Sequence, residues 1–230
     1  MVLRDIEYRY ELKYEISAAT AELLKHQLRC LMSPDSHSVC EEYSYDIRSL
    51  YFDNPDSSAY FEKLNGEEFR KKYRMRFYNG DDSYIAMECK YKHENMTYKR
   101  SAAISRPVAE AFIAGRYGYV VTRNEFLNQF ISDAISQHLR PSIIVDYRRL
   151  ALTYPVSEVR ITFDSHLRSG QYQTGIFEND FPTLSLFNDN QVVLEVKFNE
   201  YLPDHLAAVL GSVPTLREAV SKFALCRSVK

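Results

Sequence analysis

Three Glu-x-Lys pairs recur along a chain of 230 residues, at Glu11/Lys13, Glu88/Lys90 and Glu195/Lys197. A further segment, FRKKYRMRFY, sets Arg70, Lys72, Arg74 and Arg76 on alternate positions. On an extended strand, residues two apart share a face. Each pair therefore puts an acid beside a base, and FRKKYRMRFY lines up four cations. Glu158, Arg160, Thr162 and Asp164 align in the same way, opposite Val159, Ile161 and Phe163. Any one of these faces alone reads as the solvated side of an amphipathic strand, its ion pairs contributing about a few tenths of a kcal/mol. Together they suggest one shared charged surface. If that surface is an interior, the cations Lys13, Arg70, Lys72, Arg74, Arg76, Lys90, Lys92, Lys99, Arg149, Arg160 and Lys197 outnumber the carboxylates Glu11, Glu88, Glu158, Asp164 and Glu195 about two to one. Unpaired ions in a dry interior cost several kcal/mol each. Such a space must hold water and a compensating polyanion. Arginine forks fit phosphate bidentately and lysines add point charge, so a chain of phosphates is the natural guest. The carboxylates have a second use as hard oxygen ligands for Mg²⁺ or Mn²⁺, with Glu11, Glu88 and Glu195 of the three pairs as candidates.

The elements that would position these groups follow from periodicity. Period-two alternation predicts strands over 7–16, 46–53, 69–78, 83–92, 97–105, 142–152, 157–164 and 191–198. About eight strands is the number at which a sheet closes into a barrel. Helical spacing predicts 18–32, capped by Ser17, a short helix ending at Gly66, a surface helix in RPVAEAFIAG with a glycine stop, a helix over 124–139, and an amphipathic C-terminal segment over 214–227 that starts near Pro214. The expected fold class is α+β, a closed antiparallel β-barrel with helices packed outside it. No linker, repeat or low-complexity tract divides the chain, which reads as one domain over 1–230.

Composition excludes several partners. With 29 Lys+Arg against 31 Asp+Glu the net charge is −2, so the molecule as a whole is no polycation seeking duplex DNA, and cations confined to a tunnel would exclude a duplex. The cysteines Cys30, Cys40, Cys89 and Cys226 show neither CxxC nor zinc spacing, and reduced thiols in the cytoplasm are expected. No segment reads as a signal peptide or a membrane helix, so the chain by itself should be soluble. His93, His138, His166 and His205 share no metal spacing, and Asp53, Asn54 and Pro55 read as a turn. Most of the 18 tyrosines should pack outside the barrel, with Tyr51 and Tyr147 placed where an inward hydroxyl could reach phosphate.

The segments RYELKYEI, SLYFD, KYRMRFYNG, MECKYK, VDYRRLAL, VRITFD and VLEVKF, in this order, resemble the catalytic domain of the vacuolar transporter chaperone (VTC) polyphosphate polymerases, within the triphosphate tunnel metalloenzymes related to the CYTH domain. The likeness spans nearly the whole chain. It implies a tunnel whose phosphate-binding wall includes Lys13, Arg74, Arg76, Lys90, Lys99, Arg149 and Arg160, with Arg70 and Lys72 near a mouth. It further implies that Glu195 holds the divalent metal and that Lys222, on a C-terminal helix, closes one end. The chain opens with Arg9-x-Glu11-x-Lys13 where the cyclase and thiamine-triphosphatase branch has ExExK, a change that weakens a second metal site and favours a longer anion. No fused phosphate-sensing domain or membrane helix of the eukaryotic relatives is evident, and a stand-alone prokaryotic version is expected, with a membrane protein as a possible partner.

The resemblance implies transfer of the γ-phosphoryl group of ATP to polyphosphate, with Lys13, Arg74, Arg76, Lys90, Arg149 and Glu195 as the catalytic set. Two alternatives stay open: a triphosphatase or polyphosphatase on the same tunnel, and a non-catalytic polyphosphate-binding module.

Overall fold

Each alternating segment forms a strand in the computed structural model, which describes residues 9–38, 44–93, 96–171, 175–178, 182–213, 216–217 and 220–229. The chain runs β1 (Arg9–Ser17), α1 (Ala18–Arg29), β2 (Ser33–Pro34), β3 (Ser44–Asp53), α2 (Ser58–Leu64), β4 (Phe69–Tyr78), β5 (Asp81–His93), β6 (Met96–Ile104), α3 (Arg106–Ile113), α4 (Glu125–Ser136), β7 (Arg140–Tyr154), β8 (Val159–Gln171), β9 (Leu184–Ser185), β10 (Gln191–Phe198), α5 (Asp204–Gly211), β11 (Leu216–Arg217) and α6 (Lys222–Ser228). Eight strands pair antiparallel in a ring, β7-β3-β4-β5-β6-β1-β10-β8, and β8 pairs back onto β7. The short β2, β9 and β11 attach to β7, β8 and β1. Among the described residues β1 meets β6 through Arg9↔Thr97 and Tyr10↔Met96.

On β4, β5, β8 and β10 an apolar side faces outward, under helices, while β3 and β7 also turn apolar residues inward, where Ile47, Tyr51, Ile143 and Val145 cluster with Phe223 of α6. Tyr73, Met75 and Phe77 of β4, with Met87 and Cys89 of β5, pack against Phe112 of α3 and Phe126 and Phe130 of α4. Ile161 and Phe163 of β8 and Leu194 and Val196 of β10 pack against Leu24 and Leu28 of α1 and Leu206 of α5. Full burial of each such side chain contributes about 1.5–3 kcal/mol, and this helix cover keeps the charged sides turned inward. Local signals set the helix starts. The Ser17 hydroxyl accepts from Thr20 N–H, and the Asn124 side chain accepts from Leu127 N–H. α3 ends at Gly115, whose φ of +69° is the left-handed conformation glycine adopts at least cost. The turn read at Asp53 and Asn54 is also a cap, since the Asp53 carboxylate accepts from the Asn54 and Ala59 amides.

Three expectations need correction. The helix expected over 214–227 is broken: Leu216 and Arg217 pair with Glu15 and Tyr14 of β1, along an edge β6 leaves open, and α6 starts only at Lys222, capped by Ser221. β8 runs on to Gln171 because it keeps pairing with the long β7. Glu158 does not join the inner face. It sits in a turn with φ of 45° and ion-pairs with Arg9 at the surface. Residues 7 and 8, Cys40 and Pro214 lie outside the described residues, and Cys30, Cys89 and Cys226 are free thiols. Among the described residues no helix is long and apolar enough to cross a membrane.

Candidate functional site

Strand register brings the predicted residues together on the inner face of the ring. Lys13 lies opposite Glu195 across β1 and β10, and its Nζ stands 2.9 Å from Glu11 Oε1 and 3.3 Å from Glu195 Oε1. Lys90 donates to Glu11 Oε2, and Lys197 Nζ lies 3.0 Å from Glu195 Oε2. Burial and the neighbouring Glu195 push the Glu11 carboxyl up, but Lys13 and Lys90 outweigh them and its pKa ends below the usual range. Burial is likewise overcome at Glu195 by Lys197 and Lys13, which hold it well below the usual range. Burial disfavours charge on Lys13 too, yet the two carboxylates keep it protonated. Lys90 gains less from its partners than burial takes away and falls to about 8. Thr162 faces Glu195 across β10 and β8, and its buried hydroxyl oxygen makes no hydrogen bond to the protein.

Beside this group, Arg149 forks onto Asp164 with bonds of 2.6 and 2.7 Å and reaches within 3.7 Å of Glu195. Lys222 of α6 closes on the same Asp164 at 2.5 Å. Burial would raise the Asp164 carboxyl, but Arg149 and Lys222 bring it down to about 2. A third group centres on Glu88, bound by Arg74 at 2.7 Å and Lys99 at 2.6 Å, with Arg76 at 3.9 Å. Arg76 is also anchored by the Ser49 hydroxyl at 3.0 Å and the Tyr147 hydroxyl at 2.9 Å, and Arg74 by the Tyr51 hydroxyl at 3.1 Å. The two tyrosines flagged in the sequence therefore do face inward, as guanidinium anchors. The described α6 residues also lie against the inner face, where Phe223 packs on Tyr51 with ring centroids 4.9 Å apart.

Not every predicted cation sits in these groups. Arg160 is tied to buried Asp35 at 2.5 Å and to the Tyr45 hydroxyl at 3.0 Å. Asp35 follows α1 in a stretch with no periodicity, so nothing in the sequence signalled it; Ser49 shares the alternation of β3 with Tyr51 and was legible there. Arg70, Lys72 and Lys92 have no carboxylate at ion-pair distance among the described residues. Lys72 Nζ stands 4.7 Å from the centroid of the Phe223 ring, and burial, with repulsion from Arg70, Lys13, Lys63 and Lys90, lowers it to about 7.

The donors suit a divalent cation in one place. Glu11 and Glu195 offer two carboxylates whose side chains are almost fully enclosed, with the unsatisfied Thr162 oxygen opposite Glu195, a set that fits Mg²⁺ or Mn²⁺ completing its shell with phosphate oxygens and water. Glu88 does not complete a protein cage with them: among the described residues no three His, Cys, Asp or Glu side chains are grouped to hold a metal. His93, His138, His166 and His205 form no such group either.

Comparison with known proteins places this geometry. The VTC domain family matches residues 8–229. The vacuolar transporter chaperone complex subunit 4 of Schizosaccharomyces pombe is 27% identical over 247 residues, covering 88% of this chain; the chain spans about a third (33%) of that relative's length. Among solved structures, a Hippeastrum protein classed as an adenylyl cyclase and described as having a dominant triphosphatase activity superposes with a TM-score of 0.58 at 16% identity, over 98% of this chain and 97% of its own. A Vibrio parahaemolyticus protein, also classed as an adenylate cyclase, gives a TM-score of 0.51 at 11% identity, over 97% of this chain and 99% of its own. At these identities the likeness is one of fold.

Proposed function

The chain belongs to the VTC domain family, and from that premise we propose that it is an ATP-dependent polyphosphate polymerase, a single domain whose strand ring is a closed barrel enclosing a phosphate tunnel. The observation that supports this reading best is the inner face itself, a surplus of cations around the buried Glu11 and Glu195 carboxylates and the unsatisfied Thr162 oxygen. A terminal oxygen of the chain attacks the γ-phosphorus of ATP. A new P–O bond forms, the β–γ bridging bond breaks, and its electron pair leaves on the β-phosphate of ADP. The attacking oxygen is already ionised, so no strong general base is needed.

The work of the protein is positioning and charge neutralisation. Arg74, Arg76, Lys90 and Arg149 hold the triphosphate, Lys13 fixes the two glutamates, and Lys99, Lys197 and Lys222 add charge to the wall. Glu88 and Asp164 keep the Arg74 and Arg149 forks rigid before the anion arrives. Glu195 with Glu11 would hold Mg²⁺ or Mn²⁺, which when bound supplies Lewis-acid charge to the phosphoryl oxygens. The free thiols fit a reducing cytoplasm, and the match to a subunit of a chaperone complex makes a membrane-protein recipient of the product part of the same proposal.

Incubation with ATP and Mn²⁺, with products resolved by size, tests the reading. Long chains are expected; free orthophosphate alone would mean a hydrolase, and tight polyphosphate binding without turnover a binding module. Glu195→Gln should abolish turnover while keeping anion binding, whereas Arg76→Ala should weaken both. Full metal-dependent activity in Glu195→Gln would refute the site assignment.

A further inference from the structure

The arginines of the inner wall are held in a common way. Arg74 is gripped by the Glu88 carboxylate and the Tyr51 hydroxyl, and Arg76 lies near the same carboxylate and donates to the Tyr147 hydroxyl. Arg149 forks onto Asp164, with its Cζ 5.3 Å from the centroid of the Tyr147 ring. In each case the acid and the tyrosine both come from strands of the ring. Arg160 has the same two partners, the Tyr45 hydroxyl of β3 at 3.0 Å and a carboxylate at 2.5 Å. Here, however, the acid is Asp35, in the turn that follows β2, outside the eight-strand ring.

Asp35 is aimed by its surroundings. Its N–H donates to the Ala151 carbonyl of β7 at 3.0 Å, and its Oδ1 accepts from the His37 N–H at 2.7 Å, which leaves Oδ2 for Arg160. The Asp35 side chain is 2% exposed and that of Arg160 31%. The acid is thus enclosed while the guanidinium still reaches open space. Tyr45 and Asp35 both hold Nη2, and among the described residues Nε and Nη1 make no hydrogen bond. Arg160 shares the inner side of β8 with Thr162 and Asp164 and lies opposite Lys197 of β10. A guanidinium fixed by one nitrogen loses little further freedom when an anion meets the others.

We propose that Asp35 is a positioning residue for phosphate binding: its carboxylate, with the Tyr45 hydroxyl, holds Arg160 by Nη2 so that Nε and Nη1 meet a phosphate on the inner face. It rests on the reading that the ring binds phosphate. It makes the turn after β2, which no strand of the ring contains, a determinant of that binding.

The sign of one substitution separates positioning from charge balance. Asp35→Asn keeps an oxygen for the His37 N–H and removes the negative charge. Were Asp35 only a counter-charge, its loss would leave the ring more positive and tighten the binding of a polyanion. Loss of positioning weakens it instead, because the arginine must then be ordered at the expense of binding.

Calorimetry with sodium tripolyphosphate at fixed ionic strength reads the difference on the native chain, Asp35→Asn, Arg160→Met and the double variant. Asp35→Asn should weaken binding about three- to tenfold, Arg160→Met by at least as much, and the double variant no further than Arg160→Met alone. Tyr45→Phe, which keeps every charge and the buried ring, should cost about two- to fivefold, again only while Arg160 is present. Thermal melts show which variants fold, and Tyr45→Phe carries the test if Asp35→Asn does not. Native or tighter binding in Asp35→Asn and Tyr45→Phe, no loss in Arg160→Met, or losses that persist undiminished without Arg160 would overturn the role of Asp35. A native chain that binds no tripolyphosphate would bring down the functional reading itself, and this role with it.

Discussion

Raising the pH from about 7.5 to about 9.5 should loosen the grip of the ring on long-chain polyphosphate far more than an ordinary lysine would allow. Lys72 titrates at about 7 because it is buried and ringed by Arg70, Lys13, Lys63 and Lys90, which outweigh the pull of Glu62. A polyanion beside it favours the ammonium and returns the pKa toward the ordinary 10.5. Binding then takes up a proton wherever the free chain has lost one. With pKa values of about 7 free and about 10.5 bound, the affinity falls by roughly 50- to 100-fold between those two pH values. Lys90, at about 8, steepens the fall further. The internal phosphates of the ligand stay ionised across this window, and its end groups titrate near about 6, so the ligand contributes little.

Calorimetry in buffers of different ionisation enthalpy reads the proton uptake directly. Lys72→Met should remove about one proton of uptake at pH 9 and flatten the profile. Folding follows the same linkage. Native Lys72 binds its proton more weakly than the unfolded chain does, so its cost is complete below pH 7 and disappears as the pH rises through 10.5. Lys72→Met should therefore stabilise the ligand-free chain near pH 6, by about 1–3 kcal/mol after allowance for solvent screening. Affinity independent of pH across this window, or a Lys72→Met profile as steep as the native one, would refute the reasoning.

Asp164→Asn leaves Arg149 and Lys222 buried against a neutral amide, and chemical denaturation should show a loss of about 3–5 kcal/mol. In the native chain the depressed Asp164 pKa stabilises above its ordinary value of 3.8, and that share, about 2 kcal/mol, should be lost as the pH falls through about 2. On the outer face, Tyr73→Phe removes a hydroxyl that donates to Asp133 Oδ2 at 2.5 Å under α4, and should lower stability by about 1–2 kcal/mol in a thermal melt. The same variant should bind polyphosphate as the native chain does; a loss of binding would mean that the outer helices set the geometry of the inner wall.

Much of this was legible because strand periodicity separates two chemistries. In FRKKYRMRFY the alternation alone sends Tyr73, Met75 and Phe77, with Lys71, to one side and Arg70, Lys72, Arg74 and Arg76 to the other, and the structure keeps that division, with Lys71 paired to Asp133 under α4. The eight ring strands were visible for the same reason. Groups that depend on contacts distant in sequence were not. Asp35 neutralises Arg160 from a loop, and no local pattern ties the two residues together. Glu158 breaks the alternation read across 158–164 because the chain turns there with a positive φ, a feature alternation cannot show. The break in the expected C-terminal helix has a similar origin. Leu216 and Arg217 have helical company in sequence, but a free edge of β1 is within reach, and strand pairing overrides local propensity.

The pairing of β1 also says something about how the molecule comes to exist. Tyr10 lies opposite Phe198, and Tyr14 opposite Arg217, so the first strand of the ring finds its long partners only near the other end of the chain. During synthesis β1 must therefore wait, with the apolar surface of Leu12, Tyr14 and Ile16 exposed, until β10 leaves the ribosome. Leu12, Tyr14 and Ile16 have no described register pair with β6 to shelter them in the meantime. The nascent chain is thus most open to misassociation before β10 has emerged, and mutations in β10 should reduce the yield of folded protein out of proportion to their effect on the stability of the finished ring.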